Sequence, residues 1–273
     1  MYLSFKAIRS GSSGNFYLLK SENAIIAVDM GLSSQKLIIS SLAEQGLIPE
    51  DLDAVFISHT HTDHISYAGL RVCEGHGLSI SLPAPLVSQA QRIYAAKRLV
   101  RPPDGLLEGF GFKGQLRVND IVITPFVVPH DVVPTSGFRF ELESKGPAIT
   151  MATDLGYVPE SVMKQFINSD LMVIESNYDN EMLRKSARSF QQVQRIKGPY
   201  GHLSNLDTAR MVHTISKYGR VPDYVMLAHL SGDHNRPELA LKTVKEYLIS
   251  KVGSMPELFV ASRSQESDWI TVS

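Results

Sequence analysis

The chain is poor in cysteine and tryptophan, with one of each among 273 residues, Cys73 and Trp269. A single thiol forms no intramolecular disulfide, and a lone cysteine fits a reducing compartment. Excess charge of either sign is also missing. The net charge is −1, so no global field draws the chain to nucleic acid or anionic lipid. No run of about 20 apolar residues exists, and none of the segments is expected to span a membrane. The opening MYLSFKAIRSGSSGN lacks an apolar core of about 7–15 residues, so no secretory signal is expected and the expected location is cytoplasmic. Internal repeats, low-complexity tracts and long linkers are absent too. Hydrophobic residues make up 43% of the chain, enough for a sizeable core, and one domain over residues 1–273 is expected.

What is present is an alternation of short apolar strands with amphipathic segments, which predicts a layered α/β fold. Strands are expected at 2–8, 15–20, 24–30, 53–58, 78–83, 121–129, 137–144, 148–154, 170–176 and 223–230, with one or two more in the tail. Helices are expected at 33–45, 64–76, 85–100, 158–168, 206–218 and 236–250. His59, His130, Asp154 and His229 each stand at or just past the C-terminal end of an apolar strand. Functional sites of layered proteins gather at such ends, where loops converge.

The densest chemistry is SHTHTDH, residues 58–64. In an extended loop alternate side chains point the same way, so His59 and His61 can reach one ion. Asp63 and His64 begin the next segment and can turn toward a second. Imidazole and carboxylate are good zinc ligands at about 2.0–2.2 Å. Two ions need more ligands than this stretch holds. His130 would complete the first set and His229 the second, and Asp154 could bridge both ions. A single histidine at a strand end is more often a surface or hydrogen-bonded residue. It is the HxHxDH motif that turns the strand-end residues into ligand candidates. His76, between two glycines, and His213, on an expected helix, have no such context and read as structural.

This motif order resembles the metallo-β-lactamase superfamily: Asp29 after an early strand, then HxHxDH, His130, Asp154 and His229. The resemblance covers nearly the whole chain. It implies an αβ/βα sandwich, two mixed sheets face to face with helices outside, and a pair of divalent ions, zinc first and manganese as the alternative. It also implies that Asp29 orients the histidine loop by hydrogen bonds. The stretches SGSSGN, VDMGLS, ESNYDNEML, GHLSN and HLSGDHNRPELA are similar to those of the YycJ (WalJ) subgroup, regarded as exonuclease-like hydrolases of DNA. One departure stands out: where the subgroup has a Tyr-Pro pair, this chain has Arg188-Ser189. GHLSN also resembles a His-Ser-Thr stretch of ribonuclease Z, which implies a catalytic role for His202 at the scissile phosphate.

The expected reaction is phosphodiester hydrolysis. A water shared by two divalent ions is acidified toward neutral pH and becomes a hydroxide nucleophile, and the cations offset charge on the phosphoryl oxygens. Asp63 is the candidate proton acceptor. His202, beside Ser204 and Asn205 that can cap the next helix, is the candidate acid or phosphate-stabilising group. For holding a strand of DNA the candidates are Arg188 and Arg195, in a stretch (184–197) with five basic and no acidic side chains, and a second basic stretch at 88–101. Phe190 and Tyr94 can stack on bases, and Ser12, Ser13 and Asn15 lie in a Gly/Ser-rich turn whose amides can meet a phosphate. The alternative is a hydrolase of a small ester, thioester, lactone or cyclic phosphodiester on the same ligands. A diiron flavoprotein of this fold is disfavoured, because Thr62 occupies the position where those proteins carry Glu.

Overall fold

Segments apolar at nearly every position are buried on both faces, and they set the architecture: AITMA and LMVIE are buried along their whole length. A computed structural model describes residues 1–98, 100–143 and 146–273. Leu99, in the helix expected over 85–100, and Ser144, in the strand expected over 137–144, lie outside the described residues.

The first sheet takes β1 (Leu3–Arg9), β2 (Phe16–Lys20), β3 (Ile25–Val28), β4 (Ala54–Phe56), β5 (Ile80–Pro83) and β6 (Leu107–Phe110) in that order. The second takes β7 (Leu116–Val118), β8 (Ile121–Val128), β9 (Thr135–Leu142), β10 (Ala148–Ala152), β11 (Leu171–Glu175), β12 (Tyr224–Ala228) and β13 (Glu257–Val260). The last strand, β14 (Ile270–Val272), returns to the first sheet and pairs antiparallel with β1. Both sheets are mixed, and each has seven strands. In the first, β3 to β6 run parallel. In the second, β10 to β13 do.

Eight α-helices are described: α1 (Gln35–Ala43), α2 (Tyr67–Gly75), α3 (Val87–Arg98), α4 (Glu160–Phe166), α5 (Asn180–Arg184), α6 (Phe190–Lys197), α7 (Asn205–Tyr218) and α8 (Pro237–Leu248). Between the sheets, Phe5, Tyr17 and Phe56 pack with Ile123, Phe138 and Val173 in one buried cluster. Behind the first sheet, Leu18, Val55 and Ile80 meet Ile38, Leu70 and Tyr94 of α1, α2 and α3. Behind the second, Met172, Ile174 and Val225 meet Phe166, Val212 and Val244 of α4, α7 and α8. Each such side chain contributes about 1.5–3 kcal/mol when fully buried. The result is the αβ/βα sandwich implied by the resemblance. Among the described residues, no helix is long and apolar enough to cross a membrane.

Four serines start helices by accepting a backbone N–H: Ser34 from Leu37, Ser66 from Gly69, Ser189 from Gln192 and Ser204 from Asp207. The helix expected from residue 64 therefore begins only at Tyr67. Before it, His64 and Ile65 both donate their N–H to the His61 carbonyl, which makes residues 61–65 a tight turn. The strands β6 and β7 were not foreseen, being short edge segments with half-exposed residues.

Direction in the sheets decides where the site lies. β8 is antiparallel to β9, which is antiparallel to β10, so β8 and β10 point the same way. β3 and β4, and β8, β10, β11 and β12, therefore deliver their C-terminal ends in common directions within their sheets.

Candidate metal centre

The loop after β4 and the end of β8 bring together His59, His61 and His130. His59 Nε2 is 3.0 Å from His61 Nδ1, and His130 Nε2 is 3.3 Å from the same atom. Nitrogens bound tetrahedrally at about 2.0–2.1 Å stand roughly 3.3 Å apart, so three imidazoles at these separations fit one ion. Burial, and then the neighbouring charge of His64, holds the His59 imidazole well below its usual range, and burial also lowers His130, so both are neutral ligands.

Asp63, His64 and His229 form a second set. Asp63 Oδ2 lies 3.7 Å from His64 Nε2 and 3.6 Å from His229 Nε2. Asp154 stands between the two sets, with Oδ2 3.1 Å from His64 Nε2 and Oδ1 3.9 Å from His130 Nε2. Burial opposes ionisation of Asp154, but His229 and then His64 outweigh it and hold its carboxyl well below the usual range.

Two buried atoms give an independent test of whether the residues fit an ion. Asp154 Oδ2 and His229 Nε2 have no hydrogen-bond partner among the described residues. A buried polar atom without a partner costs about 1–3 kcal/mol, which a cation there would relieve. The arrangement fits two divalent ions.

Neighbouring side chains fix which ring nitrogen faces inward. Asp29, directly after β3, accepts from the Ser58 N–H and hydroxyl and lies 2.7 Å from His64 Nδ1. With Nδ1–H directed at Asp29, the lone pair of His64 is on Nε2, toward the second set. Glu175, the last residue of β11, does the same for His229: its Oε1 is 2.9 Å from Nδ1 of His229 and 2.8 Å from Nδ1 of His202. Its Oε2 accepts the backbone N–H of Leu155 and of Leu203, at 3.1 Å each. Burial raises the Glu175 carboxyl, but the His202 charge and the two histidine hydrogen bonds bring it below the usual range. Glu175 had no place among the sequence candidates. The signal was there, an acidic residue ending a buried strand as Asp154 does, but without a second ligand type beside it.

Packing holds the loop as closely as hydrogen bonding does. A Cβ on Gly31 would stand 1.8 Å from the Asp63 carbonyl oxygen. Only glycine lets these two segments approach, and the approach is what lets Asn15 N–H reach the Asp63 carbonyl at 2.7 Å.

A cavity of about 330 Å³ opens over both sets. His202, Ser12, Arg188 and Arg195 line it. Burial opposes a charged His202, but Glu175 outweighs it and raises the imidazole above its usual range. Arg195 pairs with Asp131 at 2.7 Å, and Asp131 in turn lies 3.4 Å from His61 Nε2. The other substrate candidates land elsewhere. Ser13 is exposed outside the cavity lining. Asn15 is buried; its amide donates to the Asp63 carbonyl at 3.1 Å and lies 3.0 Å from His64 Nε2, so it shapes the ligand loop. The amides of Gly11, Gly14 and Asn15 are taken up by hydrogen bonds within the protein. Ser204 caps α7, and Asn205 is buried against Ser176 and Asn235. Tyr94 is buried with its hydroxyl on Glu74, which removes it as a stacking surface, whereas Phe190 is 77% exposed on α6. Unforeseen lining residues are Asp131, Asn177, Gln192, Tyr200, Ser231 and His234.

Comparison with known proteins agrees with this architecture. Residues 28–240 match the family model described as "Beta-lactamase superfamily domain". The chain is 34% identical over 245 residues to the exodeoxyribonuclease WalJ of Streptococcus pneumoniae, covering 89% of this chain and 87% of that protein. It is 29% identical over 265 residues to the exodeoxyribonuclease YycJ of Bacillus anthracis, covering 95% and 94%. The crystal structure of the metallo-β-lactamase fold protein YhfI from Bacillus subtilis superimposes with a TM-score of 0.72 at 19% identity, covering 99% of each chain. The chain therefore belongs to the beta-lactamase superfamily and, within that group of metal-dependent hydrolases, to the family that includes WalJ and YycJ.

Proposed function

We propose that the chain is a dinuclear metal-dependent phosphodiesterase that cleaves DNA from a strand end. The observation that carries this reading is the position of Asp154 between the two ligand sets, with the His202 imidazole beside it at 3.7 Å. The similarity to two proteins named exodeoxyribonucleases supports DNA as the substrate. His59, His61 and His130 would hold one ion and Asp63, His64 and His229 the other, with Asp154 available to both. The His-rich set favours zinc. When bound, the ions supply Lewis acidity and neutralise charge on the phosphoryl oxygens.

The protein's own groups do the rest. Burial disfavours charge on Asp63, but the imidazoles of His229 and His64 beside it keep the carboxyl below the usual range. It is therefore a carboxylate at neutral pH, able to accept a proton from the attacking water. Glu175 accepts from His202 Nδ1, so a proton on Nε2 is directed into the cavity. From there it can be donated to a phosphoryl oxygen or to the leaving oxygen. Gly201 and Leu203 are buried on either side of His202, and Oε2 of Glu175 accepts the Leu203 N–H, which keeps the imidazole in place.

The test is end-labelled DNA and RNA incubated with wild type, Asp63→Ala and His202→Ala in added Zn²⁺ or Mn²⁺, beside thioester and lactone substrates. Stepwise shortening of DNA by wild type, reduced by about 10²–10⁴-fold in each variant, is expected. Hydrolysis of the thioester or lactone with intact DNA would defeat the reading, and full cleavage by His202→Ala would remove its assigned role.

A further inference from the structure

Arg188 lies between α5 and α6 and lines the cavity over the two ligand sets. Its guanidinium is fixed along one edge. Nε donates to Nε2 of His234 at 3.2 Å, and Nη2 donates to Asp233 at 2.8 Å. His234 is 3% exposed and comes from the loop that follows His229. Its backbone N–H donates to the Ser231 hydroxyl at 3.2 Å, and its Nδ1 lies 3.3 Å from the same oxygen. Burial, with the Arg188 charge beside it, lowers this imidazole below its usual range. It is therefore neutral at pH 7, with its proton on Nδ1 toward Ser231 and its lone pair on Nε2 toward Arg188.

A buried neutral acceptor aimed at the Nε of an arginine does something a carboxylate on the surface does not. Asp233 has a side chain 71% exposed and can attract Nη2 without fixing the plane of the group. The second contact, through Nε, sets that plane. Two of the five N–H groups of the guanidinium are then used. Nη1 has no hydrogen-bond partner among the described residues. The free end of the fork presents parallel N–H groups on Nη1 and Nη2, the geometry that takes two oxygens of one phosphate. Arg188 makes no hydrogen bond to any of the proposed ligands or to His202. Arg188 lines the same cavity as Asp63, His130, Asp154 and His229, so a strand seated on those residues passes it.

We propose that His234 is a positioning residue that locks Arg188 as a clamp on a phosphate neighbouring the scissile one in a nucleic-acid strand. This rests on the nuclease reading above.

The experiment compares a short single-stranded oligodeoxynucleotide with bis(p-nitrophenyl) phosphate, a diester that has no neighbouring phosphate. The ratio of kcat/KM for the oligonucleotide to that for the small diester should fall about tenfold or more in Arg188→Ala. The loss should appear in KM, and the slope of log affinity against log salt should flatten by about 0.7. His234→Ala should follow Arg188→Ala. His234→Gln keeps an acceptor and should recover most of the ratio, while Arg188→Lys, which keeps the charge and loses the fork, should not. An Arg188→Ala ratio equal to wild type overturns the clamp. A normal ratio in His234→Ala overturns the positioning role. A wild type that hydrolyses the small diester and leaves every oligonucleotide intact overturns the nuclease reading, and the clamp falls with it.

Discussion

Replacing Glu175 by Gln changes one atom, and its consequences can be worked out from four hydrogen bonds. One carboxylate oxygen accepts from Nδ1–H of both His202 and His229, at 2.8 and 2.9 Å; the other accepts two backbone N–H groups, at 3.1 Å each. A glutamine side chain has one acceptor oxygen and one NH₂. Whichever way it turns, the NH₂ meets two donors. The backbone N–H groups cannot change, whereas an imidazole can move its proton to Nε2 and accept at Nδ1. The NH₂ is therefore expected to face the histidines. That rearrangement keeps the fold, because each hydrogen bond to a former charge is worth only about 1.5–3 kcal/mol and most are remade. It removes the inward lone pair of His229, however, since Nε2 now carries the hydrogen. The second ion should bind about 10–100-fold more weakly, the usual consequence of losing an outer partner of a ligating histidine. Isothermal titration with Zn²⁺ measures the affinity, and thermal unfolding checks the fold. Unchanged affinity for the second ion would refute this reasoning. So would a large fall in melting temperature with metal binding intact, because the carboxylate would then be holding the backbone and not the rings.

Gly31→Ala should move the Asp63–His64 turn, because the added Cβ meets a backbone carbonyl at 1.8 Å that no side-chain rotation can avoid; a cost of about 1–3 kcal/mol and a loss of activity of about 10²-fold are expected, and a fully active variant would sink the argument. Cys73 is buried with its thiol pushed up to about 12 by desolvation, so the native protein should not react with a disulfide reagent at pH 8 until denaturant exposes it; rapid stoichiometric labelling would contradict this. In protein stripped of ions by a chelator, burial works against a charged His229, but Asp154, with Asp63 and Glu175, raises the imidazole to about 10. The ligand form is neutral, so Zn²⁺ binding at pH 7.5 should release protons and apparent affinity should climb with pH toward that value; calorimetry in buffers of different ionisation enthalpy that finds no release would exclude it. His229 holds φ at +55°, so His229→Gly should be more stable than His229→Ala by about 1 kcal/mol, the reverse of the usual order, as read by urea unfolding.

How much of this was legible depended on contrast along the chain. β10 and β12 are apolar through almost their whole length, so a polar residue that ends them stands out, as Asp154 and His229 do. The histidine loop stood out by density. Glu175 ends an equally buried strand, yet a lone glutamate after an apolar run is common, and its four partners come from residues 155, 202, 203 and 229, which only the fold assembles. Asn15, Ser204 and Asn205 misled for the opposite reason. Polar residues in a Gly/Ser turn or before a helix can face a ligand or satisfy buried backbone, and one-dimensional pattern does not separate the two. Residues 184–197 read as one basic stretch, but Ser189 caps a separate short helix, α6, none of whose residues is buried.

The three positions Asp29, Asp154 and His229 have more in common than the strand end. All adopt left-handed backbone, with φ of 57°, 58° and 55°. An L residue held there costs on the order of 1–3 kcal/mol, less for aspartate, whose side chain tolerates the region. A strand that continued would send its next side chain to the opposite face of the sheet. A left-handed residue breaks that alternation and turns the chain sharply, which frees the side chain to point along the edge where the other loops end. The turn holds only because neighbours grip it. The His229 N–H donates to the Ser10 hydroxyl at 2.8 Å, and its carbonyl accepts from the Asn177 amide at 2.8 Å. Asp29 is gripped by Ser58, and the segment after Asp154 by the Glu175 carboxylate through the Leu155 N–H. The polar residues around the site thus bear two burdens at once, choosing the tautomer of the rings and stabilising the backbone strain that aims them. That is why so many of them are buried and so few are free to meet a substrate.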